Sequence, residues 1–508
     1  MGSRIKNTKR NLIASWIFTA LTMLFQFVSR AVITHYLGED YLGLSSLFTS
    51  VLQILNMAEL GFSGAIVYNM YKPLAEHDTE TVCALLAYYR KIYRIIGLVI
   101  LASGLAIMPV LPYLITDGYP ADVNLYTLYA LYLANTAVSY LLFAYRTSLL
   151  EALQRMDLVK IVYTIITLIQ YGVQLFALMA LKNYECFVAA MTAGTAAKNI
   201  ITAWISRKYY PEYTCSGQLP ETIRKDILSR VKGLLICNVS GVTYTTFDSI
   251  ILSMFIGLTA VARYNNYATV RAGVATVILL IQQAMQASVG NSVASESTEK
   301  NYRDIEVWQC LFSVITAWCT ACLLSLLQPF MTLWMGQEQL LPMKDAALVC
   351  AWFCASEVQH SYLLYINAAG LWWKMKWTYI GSSAANLILN LLLGKFFGIT
   401  GILFATVFST VVFGSIGQCN IMFKEYFHRS PAIFHLRQLL YILATVLVSW
   451  ITLFFSSKLP LSGVGGLLLN LLFCAAFSGL LLYLLFMRAA VFRRSLAFLR
   501  SVWKERIR

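Results

Sequence analysis

Residues 37–51 read LGEDYLGLSSLFTSV and residues 256–270 read IGLTAVARYNNYATV, a constant offset of 219 positions. Gly38 then meets Gly257, Leu42 meets Val261, Phe48 meets Tyr267 and Val51 meets Val270. Identity is thin. Each stretch, however, joins an outgoing apolar run to a returning one through a very short turn, and each stands near the start of a block of six such runs. An even number of crossings per block makes this a parallel repeat, related by an axis along the membrane normal.

Composition supports that reading. The chain has 508 residues, 59% hydrophobic and 12% charged, where a soluble protein carries about 25% charged residues. Runs of roughly 20 apolar residues, enough to cross a bilayer as helix, recur from end to end. Fourteen spans are expected, at 11–36, 42–70, 92–112, 125–149, 160–181, 184–204, 231–256, 263–290, 308–328, 345–368, 378–396, 398–423, 438–456 and 464–487. The fold class is therefore all-α and polytopic, with about 14 transmembrane helices in two pseudo-symmetric six-helix lobes plus a C-terminal pair. The domains expected are an N-lobe at 1–205, a cytoplasmic linker at 206–230 with an amphipathic stretch (PETIRKDILSRV, 220–231), a C-lobe at 231–425, and the last pair with a basic tail at 426–508.

Lysine and arginine placement sets the orientation. With the N-terminus inside, the inner segments hold 32 of the 39 basic residues and the outer loops hold five. Both termini are thus expected in the cytoplasm of a bacterial inner membrane. The net charge of +15 faces the anionic inner leaflet and needs no nucleic acid. The basic start (Arg4, Lys6, Lys9, Arg10) runs into a span too long for a cleaved leader. Eleven cysteines, nearly all in apolar runs, read as small buried hydrophobes, Cys319-Thr-Ala-Cys322 included. No metal and no cofactor is expected. No Walker A pattern occurs, so ATP is not expected to drive the chain directly.

Tyr41-Leu-Gly-Leu, Ala58-Glu-Leu-Gly-Phe-Ser-Gly-Ala-Ile66, Tyr71-Lys-Pro-Leu-Ala-Glu-His-Asp78, Phe247-Asp-Ser-Ile-Ile-Leu, Ile256-Gly-Leu-Thr and Tyr264-Asn-Asn-Tyr267 resemble the polysaccharide-transporter (Wzx-type) family. That family consists of lipid-linked oligosaccharide flippases, in the superfamily that also holds the MATE drug exporters. The resemblance implies MATE-like lobes and movement of an undecaprenyl-pyrophosphate-linked glycan from the inner to the outer leaflet. It also implies contact with membrane lipids and with other polysaccharide-assembly membrane proteins. Many MATE exporters carry a proline in the middle of the first span; 11–36 has none. A MATE-type drug or cation antiporter is the second reading. A membrane glycosyltransferase or polymerase is the third, with Glu39-Asp40 as its acid, although no sizeable outer loop exists to hold an acceptor.

A flippase must shelter pyrophosphate and sugars, which asks for cations and hydrogen-bonding groups in a wet cavity and a route for H+ or Na+. The substrate-binding candidates are Arg30, Arg146, Arg271, Asn265, Asn266, Gln282 and Gln286; the coupling or gating candidates are Glu59, Asp248, Glu357 and His360. Arg30 falls in the outer third of the first span, where it either faces the cavity or snorkels to the interface. Asp248 aligns with Ser29 in the repeat, which suggests an Arg30–Asp248 pair or gate. Arg271 has the same two readings as Arg30. Gln282 and Gln286 share a helix face, as do Gln170 and Gln174, and suit either sugar hydroxyls or helix–helix bonds. Glu59 stands before Gly61 and Gly64, to take a proton or Na+ or to bond a neighbouring helix; Arg146 is its expected partner or part of the basic inner flank. Glu357-Val-Gln-His360 puts a carboxylate and an imidazole one turn apart, as a proton relay or a helix–helix contact.

Overall fold

The computed structural model describes residues 2–59, 62–459 and 462–507, and every regular element among them is helical. A chain in lipid must satisfy its backbone groups within each segment, and helices do so. Where helices begin at the surface, side chains cap them: Asn124 accepts from the N–H groups of Tyr126 and Thr127, and Asn183 from Cys186.

Two compact units divide the chain, Met1–Ala262 and Arg263–Arg508. The first holds α1 (Gly2–Tyr36), α2 (Glu39–Asn56), α3 (Phe62–Ala75), α4 (Thr79–Ile107), α5 (Leu125–Leu141), α6 (Tyr145–Ala152), α7 (Met156–Phe176), α8 (Tyr184–Tyr209) and α9 (Glu221–Phe255). The second holds most of α10 (Leu258–Ser295), then α11 (Thr298–Met335), α12 (Met343–Glu357), α13 (His360–Ala368), α14 (Lys376–Ser409), α15 (Cys419–Met422), α16 (Ala432–Ser456), α17 (Gly463–Phe486) and α18 (Ala490–Ile507). The division falls later than the expected linker at 206–230, because α9 packs along α2 and α3 within the first unit.

Each of the fourteen expected spans coincides with a helix or a broken pair of helices. Among the described residues, eight helices are long and apolar enough to cross a membrane by themselves, and α5 with α6 makes a ninth as a pair bent by 47°. One of the eight, Lys376–Phe427, contains two expected spans, because Gly398 (φ 60, ψ −135) breaks its course. The other four expected spans are not among these. The stretch 42–70 breaks at a 3-10 turn, Met57–Glu59, followed by Leu60 and Gly61, which lie outside the described residues. The stretch 345–368 breaks between α12 and α13; 184–204 lies within α8, and 231–256 within α9, of which Thr246–Phe255 is a short apolar helix.

The repeat is visible in the backbone. Leu37 and Gly38 both donate to the carbonyl of Ile33, and Ile256 and Gly257 both donate to that of Leu252. Gly38 and Gly257 take φ of 105° and 116°, a conformation that favours glycine, so the two turns reverse the chain in the same way. Their following helices touch. Thr259 Oγ1 donates to Asp40 Oδ1 at 2.9 Å, and these are repeat-equivalent positions. A Cβ on Gly43 would lie 2.3 Å from the carbonyl oxygen of Leu258, so only glycine lets the two helix starts approach this closely.

In the first unit the core gathers on α2, whose Leu44, Leu47 and Phe48 are fully buried, with Phe48 edge-on to Tyr129 and Tyr132. In the second unit α11 is central, packing against α12, α16, α17 and α18.

Candidate functional site

A cavity of about 630 Å³ opens inside the first unit. Helical spacing builds it: Thr22, Gln26, Ser29, Arg30 and Ile33 from α1, and Ser45, Thr49, Gln53 and Asn56 from α2, recur at three or four residues. Tyr132, Asn135 and Thr136 of α5, with Gln170, Tyr171 and Gln174 of α7, complete the polar wall. None of the described residues that line it is acidic. Arg30 is half-buried here, within electrostatic reach of the Tyr132 and Tyr184 phenols. The Tyr132 hydroxyl donates to Ser45 Oγ at 2.8 Å and lies 2.9 Å from the Tyr184 hydroxyl. Two buried atoms of the wall, Ser29 Oγ and Asn56 Oδ1, have no protein hydrogen-bond partner. Leaving such groups unmet costs about 1–3 kcal/mol each, so they are ready for water or a polar ligand.

The second unit carries a different polar assembly. His360 Nδ1 lies 2.6 Å from Gln282 Oε1, and its Nε2 lies 3.0 Å from Glu357 Oε2. The ring thus bridges the Gln282 amide and the Glu357 carboxylate through its two nitrogens. The Arg271 guanidinium lies over the Trp352 ring at 3.7 Å and acts electrostatically with Glu357. One turn along α10, Gln286 Nε2 donates to the Leu364 carbonyl, and Asn367 Nδ2 donates to Gln286 Oε1.

With both assemblies in place, the family follows from the chain itself. Residues 8–287, more than half of the 508, match the family model described as polysaccharide biosynthesis protein. The chain belongs to this family. Among solved structures it is similar to a lipid II flippase MurJ in an inward closed conformation, with TM-score 0.67 and 13% identity over 94% of this chain and 99% of that one. It is also similar to an inward-facing MATE multidrug transporter of the MOP superfamily, with TM-score 0.63 and 13% identity over 79% and 95% of the two chains. A third likeness is to the Vibrio cholerae MATE transporter VcmN in its bent form, with TM-score 0.53 and 13% identity over 87% and 100%. None of the curated protein sequences matches the chain. The fold is that of these flippases and transporters.

In this polysaccharide biosynthesis protein, the structure sorts the residues singled out from sequence. Arg30 lines the first-unit cavity; Asp248, its expected partner, lies in the same unit, wholly buried and outside the cavity lining. Glu357, His360 and Gln282 come together, and Gln286 joins the Asn367 side of the same wall. Asn266 is buried and Asn265 half-buried on the first turns of α10. Glu59 and Arg146 take other partners than each other. Glu59 accepts from the Tyr93 hydroxyl at the break between α2 and α3. Arg146 is buried and donates to the Tyr213 carbonyl at 2.7 Å, tying α6 to the segment between α8 and α9. Asp40 is occupied by Thr259.

Sequence reasoning missed Gln26, Gln53, Asn56, Tyr132 and Asn135, polar residues scattered along apolar helices. Their signal was the spacing of Ser45, Thr49, Gln53 and Asn56 along one helix face. Lys198 was missed for another reason: it fell beside the basic inner flank and counted with it, whereas its Nζ donates to Gln170 Oε1 at 3.0 Å.

Proposed function

We propose that the protein is a flippase that carries a lipid-linked oligosaccharide, with undecaprenyl pyrophosphate as carrier, from the inner to the outer leaflet for polysaccharide export. The observation that supports it best is a polar, acid-free cavity at membrane depth, with Arg30 in its wall, in a chain of the polysaccharide biosynthesis family. A guanidinium gives pyrophosphate oxygens charge-assisted hydrogen bonds, and the neutral amides and hydroxyls meet sugar hydroxyls. An isolated drug cation would find no counter-charge there. On this reading the chain lies in the bacterial inner membrane with both termini cytoplasmic, as the basic-residue bias indicates.

Transport by alternating access needs a driving force. Glu357 and His360, one turn apart and hydrogen-bonded, form a group able to take up or release a proton, with Na+ as the other coupling ion to test. Arg271 beside them interacts electrostatically with the same carboxylate.

The test uses full-length protein in liposomes that hold a fluorescent undecaprenyl-pyrophosphate oligosaccharide. Protein-dependent movement between leaflets, driven by a proton or sodium gradient or a potential, is expected. A MATE-type antiporter is the competing reading, favoured by the likeness to MATE transporters. Export of ethidium with no movement of the lipid-linked sugar would replace the flippase with it.

A further inference from the structure

Lys198 is half-buried on α8, roughly 20 Å from Tyr184 at 1.5 Å per residue. It belongs to no ion pair described above. Its Nζ donates to Gln170 Oε1 at 3.0 Å, Gln170 Nε2 donates to Gln174 Oε1 at 3.3 Å, and Gln174 Nε2 donates to the Phe187 carbonyl at 3.1 Å. The chemistry of the two ends fixes both amides. Lysine has only donors, so Gln170 must present its oxygen to it; a backbone carbonyl only accepts, so Gln174 must present its nitrogen. The donating direction therefore runs from the cation through both glutamines, and each bond polarises the next.

Gly194, one turn before Lys198, admits the arrangement. A Cβ there would lie 2.2 Å from Gln170 Oε1, so glycine leaves the amide room against α8. Both glutamines line the cavity, each with a second N–H to offer. Nearby, Asn135 Oδ1 takes the Thr195 hydroxyl at 2.8 Å, which leaves its own amide N–H groups for the cavity. The α7–α8 wall thus offers donors backed by a positive charge, and no acid among the lining residues competes.

We propose that Gln170 and Gln174, backed by Lys198, form a second anion-receptive subsite that takes an acidic group on the glycan, a sugar carboxylate, so that the transported unit is an acidic oligosaccharide. This rests on the flippase reading and assigns Arg30 to the carrier phosphate and the glutamine pair to the sugar. Lys198 acts through Gln170 as a positioning and polarising residue.

The test titrates full-length protein in nanodiscs, by calorimetry, with three probes. They are a tetrasaccharide of alternating glucuronate and N-acetylglucosamine, the same tetrasaccharide with its carboxyls reduced to alcohols, and inorganic pyrophosphate. The acidic tetrasaccharide is expected to bind at least tenfold tighter than the reduced one. Lys198→Met should erase that difference, Lys198→Arg should retain it, and Gly194→Ala, which displaces Gln170 without removing charge, should reduce it. Pyrophosphate affinity should change less than threefold in Lys198→Met. Equal binding of the two tetrasaccharides by the wild type, or a preference that survives Lys198→Met, overturns the subsite. So does a Lys198→Met variant that loses pyrophosphate binding instead, because the lysine would then serve the carrier. Failure of all three probes to bind the wild type overturns the flippase reading along with it. Thermal unfolding of each variant, matched to wild type, separates loss of the subsite from loss of the fold.

Discussion

Gly43→Ala tests the close contact at the outer turn. Its added methyl would sit 2.3 Å from the Leu258 carbonyl oxygen and 2.7 Å from Leu258 Cβ, and backbone cannot swing aside as a long side chain can. Overpacking of this kind costs about 1–3 kcal/mol. Moving the two helix starts apart also breaks the Thr259–Asp40 hydrogen bond, worth about 1.5–3 kcal/mol for a carboxylate acceptor, giving roughly 3–6 kcal/mol together. At about 2 °C per kcal/mol for a unit of this size, the midpoint should fall by roughly 6–12 °C. A thiol-reactive dye can follow the transition in detergent, because Cys83, Cys310, Cys350, Cys419 and Cys474 are buried until the fold opens. Gly64→Ala is the matched control. Nothing lies within 4 Å of its Cβ position, and replacing a helical glycine stabilises by about 0.5–1 kcal/mol, so its midpoint should hold or rise slightly. If Gly43→Ala melts with Gly64→Ala, within about 2 °C of wild type, the close-contact reasoning is wrong.

Other expectations concern the two polar assemblies. Arg30→Ala should slow lipid-linked sugar movement about 10- to 150-fold, the loss of one charge-assisted interaction of about 1.5–3 kcal/mol, with Arg30→Lys between; unchanged rates in liposomes would remove Arg30 from the site. Glu357→Gln keeps the hydrogen bond to His360 but not the charge, so leaflet exchange should continue while its dependence on an imposed proton gradient disappears. Retained gradient dependence would assign coupling elsewhere. Asp40→Ala and Thr259→Ala, alone and together, should show a coupling of about 0.5–3 kcal/mol in thermal unfolding, and strict additivity would mean the bond contributes nothing. Arg146→Ala should lower stability through the freed Tyr213 carbonyl while leaving substrate affinity within about twofold, which binding to the purified variant would show.

Much of the architecture was legible because lipid imposes it: long apolar runs must be helices. The repeat was legible too, since Gly38 and Gly257 mark turns that few other residues could make. Where partners depend on which helix lies beside which, the sequence was silent. Glu59 and Arg146 were expected to pair, yet Tyr93 and a loop carbonyl are their partners. The Glu357–His360 contact was readable because it is local, one turn apart, whereas Gln282 comes from a different helix 78 positions away. Lys198 shows the opposite failure: a rule about flanks absorbed a residue whose bond points into the wall.

The Asp40–Thr259 bond has a meaning for ancestry. In a symmetric dimer of a single six-span chain, a contact between equivalent positions would have to join two copies of the same side chain. Two aspartates there would repel, and two threonines would share only neutral hydroxyls. Fusing the copies into one chain frees the contact from that identity, and one copy can then keep an acceptor while the other supplies a donor. The bond that fastens the outer turns is thus available only after duplication, and a chain carrying either residue at both positions should hold its outer turns less firmly than this one does.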